Sequence, residues 1–264
     1  MTLRIAKLAF LSVLACVQAH PLSPAAKQSP KAPFFILAGD STTATQSANG
    51  GGWGDGFLNT TLFQGAAGTN FGHNGATTVS FRAGGDWDNV LKTVRQVRDQ
   101  YIPFVTIQFG HNDQKATANI SLSQYTENLE TFVTEVFNAG ATPILVTPLS
   151  RRNYENSTGH PSIIMSLANE TAATISAAHH SGSRYINLNQ VSTKYLNAIG
   201  PTNAYTYNLN AADYTHLNVA GSIVFGGIVA QLIDRDFPYL RREGYLRINE
   251  QLKEDVDRGI YYYP

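Results

Sequence analysis

The sequence predicts an α/β fold, a three-layer α/β/α sandwich built on a five-stranded parallel sheet. Two observations predict it. Short runs that are apolar throughout, as in strands covered on both faces, recur along the chain. Between them lie amphipathic helical patterns, and strand and helix in alternation imply right-handed crossovers with helices on both faces of the sheet.

The elements follow in order. Residues 34–38 (Phe-Phe-Ile-Leu-Ala) form the first strand, closed by Gly39-Asp40-Ser41. A weaker second strand falls near residues 69–71, and the third spans 104–109 between Pro103 and Gly110. The fourth covers 144–147, stopped by Pro148, and the fifth covers 185–188. Trp87, Val90, Leu91, Val94 and Val97 recur at spacings of three and four, which is one face of a helix. Tyr125, Leu129, Phe132, Val133, Val136 and Phe137 repeat the pattern, with Gly140 as the stop. Ile163, Leu167, Thr171 and Ile175 do so less strongly, and residues 223–233 form an apolar helix with Pro238 beyond. In a parallel sheet the reactive loops sit at the carboxyl ends of the strands, here residues 39–43, 72–77 and 110–114.

Composition narrows the function classes. With 43% hydrophobic residues and only 14% charged, the 264-residue chain can bury a core. Nineteen basic residues balance nineteen acidic ones, so the basic excess of a nucleic-acid binder is missing. Arg4 and Lys7 precede an apolar run over residues 8–17, and Val17-Gln18-Ala19 offers small residues for cleavage. This is the layout of a secretory signal peptide over residues 1–19, too short for a membrane span of roughly 20 apolar residues. An extended lead-in then covers 20–32, followed by one domain over 33–264. Its tail, from about residue 235, is more charged and carries no assignable function. The one cysteine, Cys16, falls in the leader, which removes a Cys nucleophile and a thiolate metal site from the mature chain. Sequons begin at Asn59, Asn119, Asn156 and Asn169, expected glycosylation sites in a secreted, extracellular protein.

The polar loops carry the chemistry. Ser41, placed at the start of the following helix, would set its hydroxyl beside free backbone N–H groups, a nucleophile with donors for an oxyanion. It is equally well an N-cap. Asp213-Tyr214-Thr215-His216 offers a base and an orienting carboxylate, which a serine needs, or simply a local Asp–His contact. Asn112 in Gly110-His111-Asn112-Asp113 can donate its amide, and Gly75 a backbone N–H, though Asn and Gly are also common turn residues. Gly50-Gly51-Gly52 lacks the Gly-Lys-Ser/Thr ending of a phosphate loop, so Trp53 is expected as an aromatic wall beside Ser41. His73 is a candidate lining residue of the cleft and His111 a support for its loop, and all three of these side chains are candidate substrate-binding residues. His179 and His180 are read as capping helix carbonyls, with no metal site and no cofactor expected.

Taken together, these blocks resemble the SGNH (GDSL-type) hydrolase superfamily, and within it the rhamnogalacturonan acetylesterase-like branch. The matching segments are Ala38-Gly39-Asp40-Ser41-Thr42, Gly52-Trp53-Gly54, Phe109-Gly110-His111-Asn112-Asp113 and Asp213-Tyr214-Thr215-His216-Leu217. Thr42 departs from the Leu of the literal motif, and the second block, Phe71-Gly72-His73-Asn74-Gly75-Ala76, is loosely spaced. The resemblance covers roughly residues 34–232 and implies a flavodoxin-like SGNH hydrolase fold. It implies Ser41 as nucleophile, His216 as general base and Asp213 as its orienting partner. The oxyanion hole would then comprise the Ser41 and Gly75 N–H groups and the Asn112 side chain, with Gly72 as rival to Gly75. The implied substrate is an acetyl ester on rhamnogalacturonan or a related plant cell-wall polysaccharide, handled by a monomer without nucleic-acid or membrane partners. Two other readings remain open at this point: a lipase or carboxylesterase of broader acyl range, and a non-catalytic carbohydrate-binding protein on the same scaffold.

Overall fold

The computed structural model describes residues 31–156 and 159–264. The expected leader, Cys16 and all but the last two residues of the lead-in lie outside the described residues. Seven strands are present among the described residues: β1 (Pro33–Gly39), β2 (Ala67–Asn70), β3 (Ile102–Gln108), β4 (Thr142–Val146), β5 (Tyr154–Glu155), β6 (Ser162–Ile163) and β7 (Arg184–Ile186). The helices are α1 (Gly54–Thr61), α2 (Thr78–Ala83), α3 (Asp86–Val97), α4 (Leu122–Ala139), α5 (Ala168–Ser181), α6 (Leu188–Ala204), α7 (Val219–Asp236), α8 (Tyr239–Arg242) and α9 (Glu250–Arg258).

Five strands form one parallel sheet in the order β2-β1-β3-β4-β7, and β5 with β6 makes a small antiparallel hairpin. The continuous apolar runs are explained by burial on two sides. Phe35 and Leu37 face a core shared with α1, α6 and α7, while Ile36 and Ala38 face one shared with α2, α3, α4 and α5. All four are fully buried. The chain leaves β1 to one side for β2, then returns to its other side for β3. The carboxyl ends of β1 and β3 therefore flank the point where the sheet reverses direction, the usual place for a ligand crevice.

All five expected strands are found, within a few residues of their expected bounds. The helices differ in detail. Phe137 is exposed, because α4 turns that position outward while Val133 and Val136 meet the core. The face expected from Ile163, Thr171 and Ile175 is replaced. Ile163 belongs to β6, and α5 buries Ala173, Thr174, Ala177 and Ala178 instead, small residues that let it lie close to α4. Helix α6 escaped the pattern because Gly200-Pro201 breaks it near its end. The tail is structural: Leu252 and Val256 of α9 join the core, and the Tyr262 N–H donates to the Tyr195 hydroxyl at 3.0 Å.

Candidate active site

The turn after β1 positions the serine. The Thr43 and Ala44 N–H groups both donate to the Asp40 carbonyl, at 3.0 and 3.1 Å, forming a single helical turn. This corrects the expectation that Ser41 opens a helix, since α1 begins only at Gly54. The reason is competition for acceptors. The Thr42 and Ala44 carbonyls, which a continuing helix would use, are taken by the N–H groups of Trp53 (3.0 Å) and Gly52 (2.9 Å) as the chain folds back over the turn. Glycine is required at 52 for this approach: a Cβ there would lie 1.9 Å from the Thr42 carbonyl oxygen.

Beneath the turn runs a buried chain of hydrogen bonds. Trp53 Nε1 donates to Gln108 Oε1, Gln108 Nε2 donates to Thr42 Oγ1, and Thr42 Oγ1 donates to Asp40 Oδ1 at 2.7 Å. The Thr42 N–H also donates to Asp40 Oδ1, at 2.9 Å. This gives Thr42 a role its hydroxyl alone can fill. It also overturns the expected aromatic wall, because Trp53 is fully buried and packs against Phe57 in the core, its indole N–H satisfied by Gln108. The indole cannot touch a ligand.

The segment before α7 brings the other two groups. His216 Nε2 lies 2.7 Å from Ser41 Oγ, and its Nδ1 lies 2.8 Å from Asp213 Oδ2. Asp213 Oδ1 accepts the N–H groups of Thr215 (3.0 Å) and His216 (2.8 Å), so the carboxylate is held by the backbone that it folds. Burial raises the Asp213 pKa, but these bonds and the His216 side chain outweigh it and hold the carboxyl below its ordinary 3.8. A carboxylate so held fixes the imidazole with Nδ1–H toward Asp213 and a free lone pair on Nε2 toward the serine.

Three candidate donors lie on the loops that follow β1, β2 and β3. The backbone N–H groups of Ser41 and Gly75 have no acceptor among the described residues. Gly75 adopts φ +80°, the left-handed backbone that the turn from His73 to Ala76 demands and that glycine takes without strain. Its rival Gly72 is engaged: its N–H donates to Asn70 Oδ1 at 2.9 Å, and its Cα packs on the Ala44 backbone. Asn112 is 6% exposed, with Nδ2 donating to the Ala76 carbonyl (3.0 Å) and Oδ1 accepting from Lys115 Nζ (2.7 Å). One amide hydrogen is thereby fixed and the other left free.

The other candidate histidines part company. His111 is nearly fully buried and cannot line the cleft, which corrects its reading as a ligand contact. Its Nε2 donates to the Leu149 carbonyl at 2.9 Å, and its Nδ1 faces Asp40 Oδ2 at 3.4 Å. It therefore supports the loop, as its position in the third block suggested. Burial would raise the Asp40 pKa, but the neighbouring His111 and the hydrogen bonds from Thr42 bring it below the ordinary value. His73 is exposed and pairs with Asp86 at 2.7 Å, so its ring is directed to the start of α3. His180 pairs with Glu130 at 2.9 Å rather than capping carbonyls.

The model of the GDSL-like lipase/acylhydrolase family matches residues 37–222, most of the chain and all five of the residues Ser41, Gly75, Asn112, Asp213 and His216. The chain belongs to this family. It is a carboxylic ester hydrolase of the SGNH type. Among its relatives is the Bacillus subtilis protein named "Probable rhamnogalacturonan acetylesterase YesY", 27% identical over 206 residues, which cover 75% of this chain and 90% of the relative. Rhamnogalacturonan acetylesterase RhgT of Bacillus subtilis is 33% identical over 124 residues, covering 46% of this chain and 50% of the relative. Among solved structures, a Bacillus subtilis protein superposes with a TM-score of 0.67 at 24% identity, covering 79% of this chain and 58% of its own. An acetylxylan esterase of Geobacillus stearothermophilus gives 0.54 at 18% identity, covering 79% of this chain and 95% of its own. These last two establish likeness of fold.

Two residues that hold this hydrolase site together were not picked out from the sequence. Arg152 is fully buried, donating from Nη2 to the His216 carbonyl and from Nε to Asn208 Oδ1. Burial lowers its pKa to about 10, and the Asp213 charge opposes that fall. Arg151 bridges two loops, reaching Thr215 Oγ1 and the His111 carbonyl, each at 3.3 Å. The signal available was their place: two arginines just past the end of β4, where the other strands already carry functional loops.

Proposed function

We propose that this esterase removes acetyl groups from a plant cell-wall polysaccharide of the rhamnogalacturonan class, through an acyl-enzyme on Ser41. The observation that carries the chemistry is the unbroken relay Asp213–His216–Ser41, with contacts of 2.8 and 2.7 Å. His216 Nε2 takes the Ser41 proton as Oγ attacks the acyl carbonyl. The oxyanion receives the Ser41 and Gly75 N–H groups and the free Asn112 amide hydrogen. As the intermediate collapses, the imidazolium returns the proton to the leaving sugar oxygen, and the ester bond to the sugar breaks. Water then repeats the cycle, with His216 as base, and releases acetate and free Ser41.

The substrate reading is supported by the printed names of the two relatives. Secretion is supported by the leader pattern and by the exposure of Asn59, Asn119, Asn156 and Asn169. The testing experiment compares p-nitrophenyl acetate, butyrate and octanoate, then measures acetate released from acetylated pectin and acetylxylan. We expect acetate to be favoured by about tenfold or more over butyrate, since each extra methylene that fails to fit alters discrimination by about 1–3 kcal/mol. Acetate release from the rhamnogalacturonan-containing pectin completes the expected result. Preferred turnover of octanoate would overturn it in favour of a lipase, and release from acetylxylan alone would reassign the polymer.

A further inference from the structure

Two exposed aromatic rings stand on the segment that carries Asp213 and His216 and take no part in the proton relay. Tyr214 directly follows Asp213 and is 37% exposed, and Tyr205 is 39% exposed. Their ring centroids lie 5.1 Å apart with planes inclined at 57°, an open V rather than a closed stack. Tyr154 of β5 meets Tyr205 edge-on at 5.9 Å, and its hydroxyl donates to the Leu196 carbonyl at 2.7 Å. The backbones are also tied: the Tyr214 carbonyl accepts the Arg152 N–H at 2.8 Å, and the Tyr205 carbonyl accepts the Asn208 N–H at 3.1 Å. The V is thus formed before any ligand arrives.

Among the described residues the largest rings elsewhere are buried. Trp53, Trp87, Tyr125, Tyr195 and Tyr207 are all among the largest buried side chains. Among the described residues the other strongly exposed aromatics are Phe137 on α4 and Tyr263 at the chain end. Single exposed apolar residues are ordinary, whereas two rings in contact, held rigid beside a reactive loop, form a surface suited to a ligand. The chemistry of that ligand follows from the rings. A phenol presents an apolar face and a polar edge, matching the C–H face and the peripheral hydroxyls of a pyranose. An alkyl chain would instead call for an enclosed apolar slot.

We infer that Tyr205 and Tyr214 form a sugar subsite, stacking a pyranose ring of the polysaccharide chain beside the acetylated residue at Ser41. This rests on the polysaccharide reading above. The subsite supplies the aromatic wall that Trp53, buried in the core, cannot.

The test is the Tyr205→Ala/Tyr214→Ala double variant against wild type and the Tyr205→Phe/Tyr214→Phe pair, with kcat/KM measured on acetylated pectin and on p-nitrophenyl acetate. The ratio of polymer to small-ester efficiency is expected to fall about tenfold in the alanine pair, mainly through KM, as for loss of aromatic anchors at a binding surface. The phenylalanine pair, which keeps both rings, should recover most of that ratio. A ratio unchanged in the alanine pair, including equal losses on both substrates, overturns the subsite. Should wild type release no acetate from any acetylated polysaccharide, the polysaccharide reading falls and takes the subsite with it. Polymer activity with an unaffected ratio removes the subsite alone.

Discussion

Replacing Ser41 with alanine is expected to lower kcat on p-nitrophenyl acetate by about a million-fold, to the background of the assay, with the fold intact. The magnitude is that of removing the nucleophile from a relay whose members act as a unit. The fold survives because Ser41 Oγ makes one side-chain bond, to His216, and the turn is held by backbone bonds and by Asp40. The far-ultraviolet circular dichroism and the melting temperature should therefore match wild type within a few degrees, the change expected for about 1 kcal/mol. Turnover within tenfold of wild type would remove Ser41 as nucleophile and leave it a residue of the turn after β1.

Asn112→Ala should cost about 100- to 1000-fold in kcat with little change in KM. An oxyanion-hole donor works on charge that develops only in the transition state. The geometry makes this a clean experiment, because Asn112 is hydrogen-bonded to the Ala76 carbonyl and Lys115 and to neither Ser41 nor His216. A rise in KM at constant kcat would instead mean that the amide binds the ground-state ester, and the oxyanion hole would then rest on the Ser41 and Gly75 N–H groups.

The strands were legible because double-sided burial favours apolar residues: Phe35, Ile36, Leu37 and Ala38 are each fully covered. Helices with wide apolar faces, α3 and α4, were legible by period. Helix α5 was legible only weakly and on the wrong face, since it packs through alanines that carry little hydrophobic signal, and α6 was hidden by Gly200-Pro201. At the site, Ser41, Asn112, Asp213 and His216 could be chosen from three short blocks, two directly after β1 and β3 and one leading into α7. Gly75 and Gly72 could not be told apart by spacing, since the decision rests on which N–H is already taken. Trp53 was misjudged for a related reason: residue type says that an indole can stack on a sugar, and only packing says that Gln108 already holds it.

By itself, then, the sequence determined the layer architecture and the parallel sheet and offered the candidate reactive groups, because these follow from periodicity and from local motifs a few residues long. The tertiary structure alone decided how those groups are joined. His216 reaches Ser41 across 175 positions of chain, and Arg152 secures His216 across 64. It also decided which aromatic rings face water, Tyr205 and Tyr214 rather than Trp53. Such contacts depend on which surfaces meet when the sheet closes, and burial is a property of neighbours distant in sequence, which no local pattern encodes.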